Sequence, residues 1–147
     1  MNATSTAWKA IKATATSCND LYITPNGAGT TSGSVKLDFV SNHWQYAPSA
    51  TSAEDSNRSA AFAATTASGL SDFCKMYLQA MALLPEDGDT DYGDDIFYAN
   101  NGAEERLPFR GGFCGSGAGA GVFALYLTYS RSDADPHVGF RAAFENL

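Results

Sequence analysis

The chain has 147 residues, 44% of them apolar and 17% charged, with a formal net charge of −7 and a pI near 4.5. That length and balance fit one globular domain burying roughly two-thirds of its unfolded surface, and they exclude intrinsic disorder. The nine Lys and Arg are scattered from Lys9 to Arg141 without a basic stripe, which excludes direct nucleic-acid binding, and an anionic membrane surface would repel so acidic a chain.

In chain order, residues 4–17 read as a short helix: Trp8, Ile11 and Ala15 fall near one face, with Thr4 or Ser5 as cap. Residues 21–24 and 34–40 read as strands. In the second, Val35, Leu37 and Phe39 alternate with Lys36 and Asp38, the pattern of a half-buried strand. The link "PNGAGTTSG" between them is turn chemistry. His43, Trp44 and Tyr46 are read as packing residues, and residues 55–64 as a short helix. Over 70–84, Leu70, Phe73, Tyr77, Met81 and Leu84 form a helical stripe, with Ser71 as N-cap and Pro85 as the stop. An acidic, glycine-bearing loop follows, then a short strand at 95–99, a glycine-rich segment at 111–121, a strand over 122–129 and a terminal strand at 137–144. Short helices in the first half and glycine-punctuated strands in the second give an α+β domain. No apolar run approaches the ~20 residues that span a bilayer, so no membrane insertion is expected. The start "MNATSTAWKAIKATATS" lacks the apolar core of a leader peptide. The chain is therefore expected to be made without secretion, assembled into a particle, or part of a longer protein.

The candidate chemistry is sparse. "GSGAGA", 115–120, satisfies a loose dinucleotide-loop pattern, but a strand rather than a helix follows it, and no lysine lies after Lys75 to serve a phosphate loop. Asp87, Asp89 and Asp91 have the spacing of a calcium loop, yet Tyr92 and Tyr98 occupy the positions where an EF-hand needs Gly and Glu. A looser calcium site using Asp94 or Asp95 is the alternative to a solvated Asx turn, and the turn is the plainer reading. The two histidines, His43 and His137, sit in no catalytic motif, and no nucleophile elbow is present. No catalytic residue, metal or cofactor is expected. Of three cysteines, Cys18 and Cys74 read either as two buried free thiols or as a bridge, and Cys114 lies in the glycine segment. In the strand 122–129, Phe123, Leu125 and Leu127 alternate toward a core, which turns Tyr126 and Thr128, with Tyr129 near the end, toward solvent. Exposed tyrosines among Gly and Ser have the composition of a paratope, where Tyr supplies contact area at low entropic cost.

Taken together, "ERLPFRGG", "AGVFALYL", "SRS" and "VGFRAAF" resemble the C-terminal part of C-type lectin-fold variable proteins diversified by retroelements. These occur as phage and archaeal-virus receptor-binding proteins and as microbial surface proteins. The likeness covers roughly residues 84–144. It implies a single C-type lectin-like α+β domain over 1–147, with short helices and small antiparallel sheets, an N-terminal scaffold half at 1–83, and a loop-rich half at 84–147 carrying a variable region at about 113–137. In that family a template rich in asparagine codons is copied with errors at adenines. The resemblance implies that Arg110, Gly111, Gly112, Gly117, Ala120 to Leu125, Leu127, Arg131, Ser132 and Val138 to Arg141 are framework. The positions it implies to vary, and to contact ligand, hold Phe113, Cys114, Gly115, Ser116, Gly119, Tyr126, Thr128, Tyr129, Asp133, Asp135, Pro136 and His137. All twelve are reachable from an asparagine codon whose adenines change. Phe113, Tyr126 and Tyr129 would be aromatic anchors, Asp133, Asp135 and His137 would add polar specificity, and Cys114 would be a small apolar contact.

The implied partner is a protein or glycan on a host or target cell surface, with the chain on a virion or an extracellular cell surface, part of a larger fibre or particle. Neither calcium nor sugar is implied by the fold's name, because the variable region replaces the usual calcium-ligand motifs. The "RGG…GFR" framework is also similar to the formylglycine-generating enzyme family, an oxidoreductase reading that would need a paired, reactive thiol at Cys114. A purely structural particle-tip role is the third alternative.

Overall fold

A computed structural model describes residues 10–24, 31–89, 91–102 and 106–129. They form a mixed α+β structure with one α-helix among the described residues and three small sheets. The short strands β1 (Ala10–Ile11) and β2 (Tyr22–Ile23) pair antiparallel. β3 (Lys36–Val40) and β4 (His43–Ala47) form a hairpin, and β6 (Thr66–Ala67) joins β4 in parallel. The largest sheet orders β5 (Arg58–Ala61), β7 (Ile96–Ala99), β9 (Leu125–Leu127) and β8 (Phe109–Arg110). Helix α1 spans Asp72–Ala80.

Neither of two expected helices forms over its described residues: Ala10–Ile11 and Arg58–Ala61 are strands. Within 10–17 the main chain bonds outward rather than to itself: Lys12 N–H reaches Leu21 O at 2.6 Å, Ala13 N–H reaches Gly33 O at 2.9 Å, and Val35 N–H reaches Ile11 O at 2.8 Å. A run rich in Thr and β-branched residues takes that pairing readily. Trp8, Thr4 and Ser5 lie outside the described residues, as does the expected strand 137–144. Within 55–64, Arg58–Ala61 pairs with β7 and only Phe62–Ala64 turns, as a 3-10 helix. The alanines there favour a helix locally, but pairing and the burial of Phe62 prevail.

The helix expected over 70–84 is present with shorter limits, and of the strand expected over 122–129 only Leu125–Leu127 pairs. Ser71 caps α1, its hydroxyl accepting from Cys74 N–H at 3.1 Å. The helix ends before Pro85: Ala82 takes φ +53°, and the N–H groups of Leu83 and Leu84 fold back onto Leu78 O at 2.8 and 3.3 Å. Its buried residues are Cys74 and Leu78; of the expected stripe, Leu70 and Leu84 are buried beyond its ends, Phe73 and Tyr77 are half-buried, and Met81 is exposed. Cys74 is buried as a free thiol, and Cys18 is free but exposed rather than buried.

The core gathers Trp44, Tyr46, Phe62, Leu78, Phe97 and Leu125 between the sheets and the helix. Trp44 and Tyr46 pack as expected, and His43 is half-buried at the hairpin tip. Trp44 joins the two larger sheets, because its indole Nε1–H donates to Phe97 O at 2.9 Å. Asp38 departs from the alternation that would place it in solvent. It is 3% exposed, and a loop closes over it: Thr51 N–H and Oγ1–H reach Oδ2 at 3.0 and 2.8 Å, and Ser52 N–H reaches Oδ1 at 2.8 Å.

Candidate binding surface

The four-stranded sheet has two different faces. Phe97, Ala99 and Leu125 are fully buried on the core face, with Leu127 and Ala60 packed beside them. Period-two alternation therefore turns Ile96, Tyr98, Tyr126, Ser59 and Ala61 to the other face. Tyr98 sits opposite Tyr126, and Tyr126 opposite Phe109, so three aromatic side chains cross that face in a row. Their ring centroids are 5.6 and 5.0 Å apart. Tyr129 adds its ring 5.6 Å from Phe109, and Phe113 stands edge-on to Tyr126 at 6.3 Å.

This geometry corrects one expectation. Tyr126 points away from the core, as the alternation requires, but it is 2% exposed rather than solvent-facing. Tyr98, Phe109 and Phe113 wall it in, and its hydroxyl pairs with the Ser116 hydroxyl. It is the floor of the aromatic face. Phe113 is the part that projects, 47% exposed, and Thr128 and Tyr129 are half-buried at the far end of β9.

The glycine segment forms 3-10 turns over Cys114–Gly119, with Phe113 at the N-cap position and a kink at Gly117. Its glycines divide cleanly. Gly111, Gly112 and Gly117 have φ of +92°, +67° and +55°, which side chains resist, and a Cβ on Gly112 would also lie 2.8 Å from Ala120 Cβ. Gly115 and Gly119 are not left-handed. A Cβ on Gly115 would meet only the exposed Phe113 ring, at 2.6 Å, and one on Gly119 would touch Ile96 Cγ2 at 3.0 Å.

Main-chain and framework bonds hold the segment. Arg110 Nη1 donates to Phe123 O at 2.9 Å and Gly111 N–H to Ala124 O at 3.2 Å. At the other end of β9, Arg106 Nη1 donates to Thr128 O at 2.8 Å, and Leu107 N–H to Tyr129 O at 2.9 Å. The Asp95 carboxylate, 7% exposed, accepts Phe123 N–H at 2.7 Å. Gly121 must be glycine beside it, because a Cβ there would sit 2.0 Å from Asp95 Oδ1. Gly121→Ala is expected to cost about 2–3 kcal/mol by displacing that carboxylate, which thermal denaturation of the single variant measures.

Asp95 is thus a structural clasp. In the acidic loop, Asp91 N–H bonds Asp89 Oδ1 at 3.0 Å, an Asx turn, and no group of three or more metal-binding side chains occurs among the described residues. The hollow lined by Ala15, Thr16, Leu70, Ser71, Asp72 and Phe73 lies at the helix N-terminus, apart from the aromatic face. Arg110 sits over the Phe62 ring, and burial lowers its pKa against the opposing pull of Tyr46 and Asp95.

The surface therefore gathers Phe113, Gly115, Ser116, Gly119, Tyr126, Thr128 and Tyr129 around one sheet face and one edge. The Cys114 side chain, Asp133, Asp135, Pro136 and His137 lie outside the described residues. Tyr98 and Phe109 were missed. The alternation of Ile96 to Ala99 was enough to turn Tyr98 outward, whereas a two-residue strand at Phe109 leaves no periodic trace. Val122, which the resemblance makes framework, is 82% exposed, and nothing in the structure explains a fixed residue there. Among the described residues no helix is long and apolar enough to cross a membrane. No protein-family model matches the chain, and no curated protein matches it.

Proposed function

We propose that the chain is a C-type lectin-like ligand-binding protein whose hypervariable surface, diversified by a retroelement, attaches it to a host or target cell surface. The partition of the glycines carries this reading. The glycines that the resemblance makes fixed at 111, 112 and 117 have left-handed φ, and Gly121 is hemmed in by Asp95. The two it makes variable, Gly115 and Gly119, lie outside the left-handed region, and the nearest atoms a Cβ would press on belong to the Phe113 and Ile96 side chains rather than to the backbone. The clamps on Thr128 and Tyr129 grip main-chain carbonyls, so they survive a change of side chain. A surface can change freely only where its side chains contribute little to folding.

Within that surface, Phe113 and Tyr129 are the anchors and Tyr126 is their support. The test is retention of cell-surface proteins and glycans on immobilised protein, beside a Phe113→Ser, Thr128→Ala, Tyr129→Ser variant of unchanged Tm. The reading expects specific ligand retained by the parent and lost by the variant. Identical retention by both rejects it.

A further inference from the structure

The outer sheet face is flanked by charge of one sign. Glu86 to Asp95 holds six carboxylates and no cation, in a chain of net charge −7. Glu86, Asp87, Asp89, Asp91 and Asp94 are exposed, and none of them is in an ion pair among the described residues. This loop enters the sheet through Asp95 and Ile96 at the start of β7, the end of the sheet at which the 3-10 segment joins β8 to β9. Ile96 lies under Gly119, and Asp95 holds Phe123 N–H. The exposed Phe113 ring opens the segment that ends at Gly119. An aromatic face thus meets an anionic loop whose carboxylates have no cationic partner among the described residues.

We infer that the partner docked on this face presents a basic protein segment, with an arginine or lysine over Phe113 and further cations toward the acidic loop. This inference rests on the display function proposed above and adds the chemistry of the occupant. A guanidinium or ammonium gains from the ring's negative face, and a rim of unpaired carboxylates raises its local concentration and association rate. The ring contact favours arginine, whose planar cation stacks on aromatic rings, while the carboxylates attract either cation. A neutral glycan would gain from the rings but not from the rim.

The experiment is titration of the full chain with a short fluorescent arginine–glycine peptide, and a glutamate–glycine peptide as control, between about 20 and 200 mM salt. Two variants accompany it: Phe113→Ala, and the combined Asp87→Asn, Asp91→Asn, Asp94→Asn, whose carboxylates accept no hydrogen bond among the described residues. The expected result is binding of the basic peptide alone, weakened about fivefold by Phe113→Ala. The triple variant should weaken it about threefold at low salt and flatten its salt dependence. No binding, equal binding of the acidic control, or an unchanged salt slope in the triple variant overturns the inference. So does binding that needs the carboxylates but ignores Phe113, since the sheet face would then take no part. A cell-surface ligand that depends on Phe113 but ignores the three Asn substitutions leaves the display function standing and rejects the basic occupant.

Discussion

Trp44→Ala is expected to cost about 4–5 kcal/mol, the largest loss of any single substitution described here. Folded domains are stable by only about 5–15 kcal/mol, so this loss is a large share of the total and should lower the Tm well below the parent's. Three contributions add. The fully buried indole leaves a void beside Phe39 and Phe97, whose ring centroids lie 4.7 and 5.6 Å away. Phe97 O loses its 2.9 Å donor, so the bond between the two larger sheets goes. The Arg58 guanidinium, 5.3 Å from the indole centroid, loses half of the aromatic surface that it shares with Phe39. Urea denaturation checks the figure. Trp44→Phe should recover most of it, leaving about 1–2 kcal/mol for the missing N–H and volume.

Asp38 should make the domain acid-sensitive. Burial would raise its carboxyl pKa, but the hydroxyl and main-chain donors of Ser52 and Thr51 overcome that and hold it well below the usual carboxylate range. A depressed folded pKa gives stability that is present above the unfolded value of about 4 and is lost as pH falls below it. Asp38→Asn is expected to cost about 2–3 kcal/mol at neutral pH, because an amide offers one acceptor where two oxygens accepted. It should also flatten the decline in stability below about pH 4. A variant whose acid limb matches the parent's would place the sensitivity elsewhere.

Asp38 and its strand mark how far the fold was legible in the sequence. The alternation Val35, Leu37, Phe39 announced β3, and the three do pack against the core. The inward burial of Asp38 depends on a loop thirteen residues on, which no local pattern contains. Ser71 marked the start of α1 because a cap acts within three residues. The end was missed, because the helix stops at Ala80, where Ala82 turns left-handed and Leu83 and Leu84 fold back on Leu78, without need of the proline. Arg58–Ala61 looked helical because alanine propensity is local and pairing with β7 is not.

On the aromatic sheet face, the faces of β9 were legible and the exposure was not. Alternation separated Tyr126 from Leu125 and Leu127, but the rings that cover Tyr126 come from β7, β8 and the 3-10 segment. That correction sharpens the account. Tyr126 belongs to the support, and a change that removes its ring should destabilise, whereas the projecting positions around it should not.

The most direct measurement is the Tm of a Phe113→Ser, Thr128→Ala, Tyr129→Ser variant set beside that of Leu125→Ala. If the buried frame and the main-chain clamps carry the fold, the triple variant should melt within about 4 °C of the parent, while Leu125→Ala falls by about 10 °C. A triple variant that falls as far as Leu125→Ala would contradict the account, because its displayed side chains would then be holding the domain together.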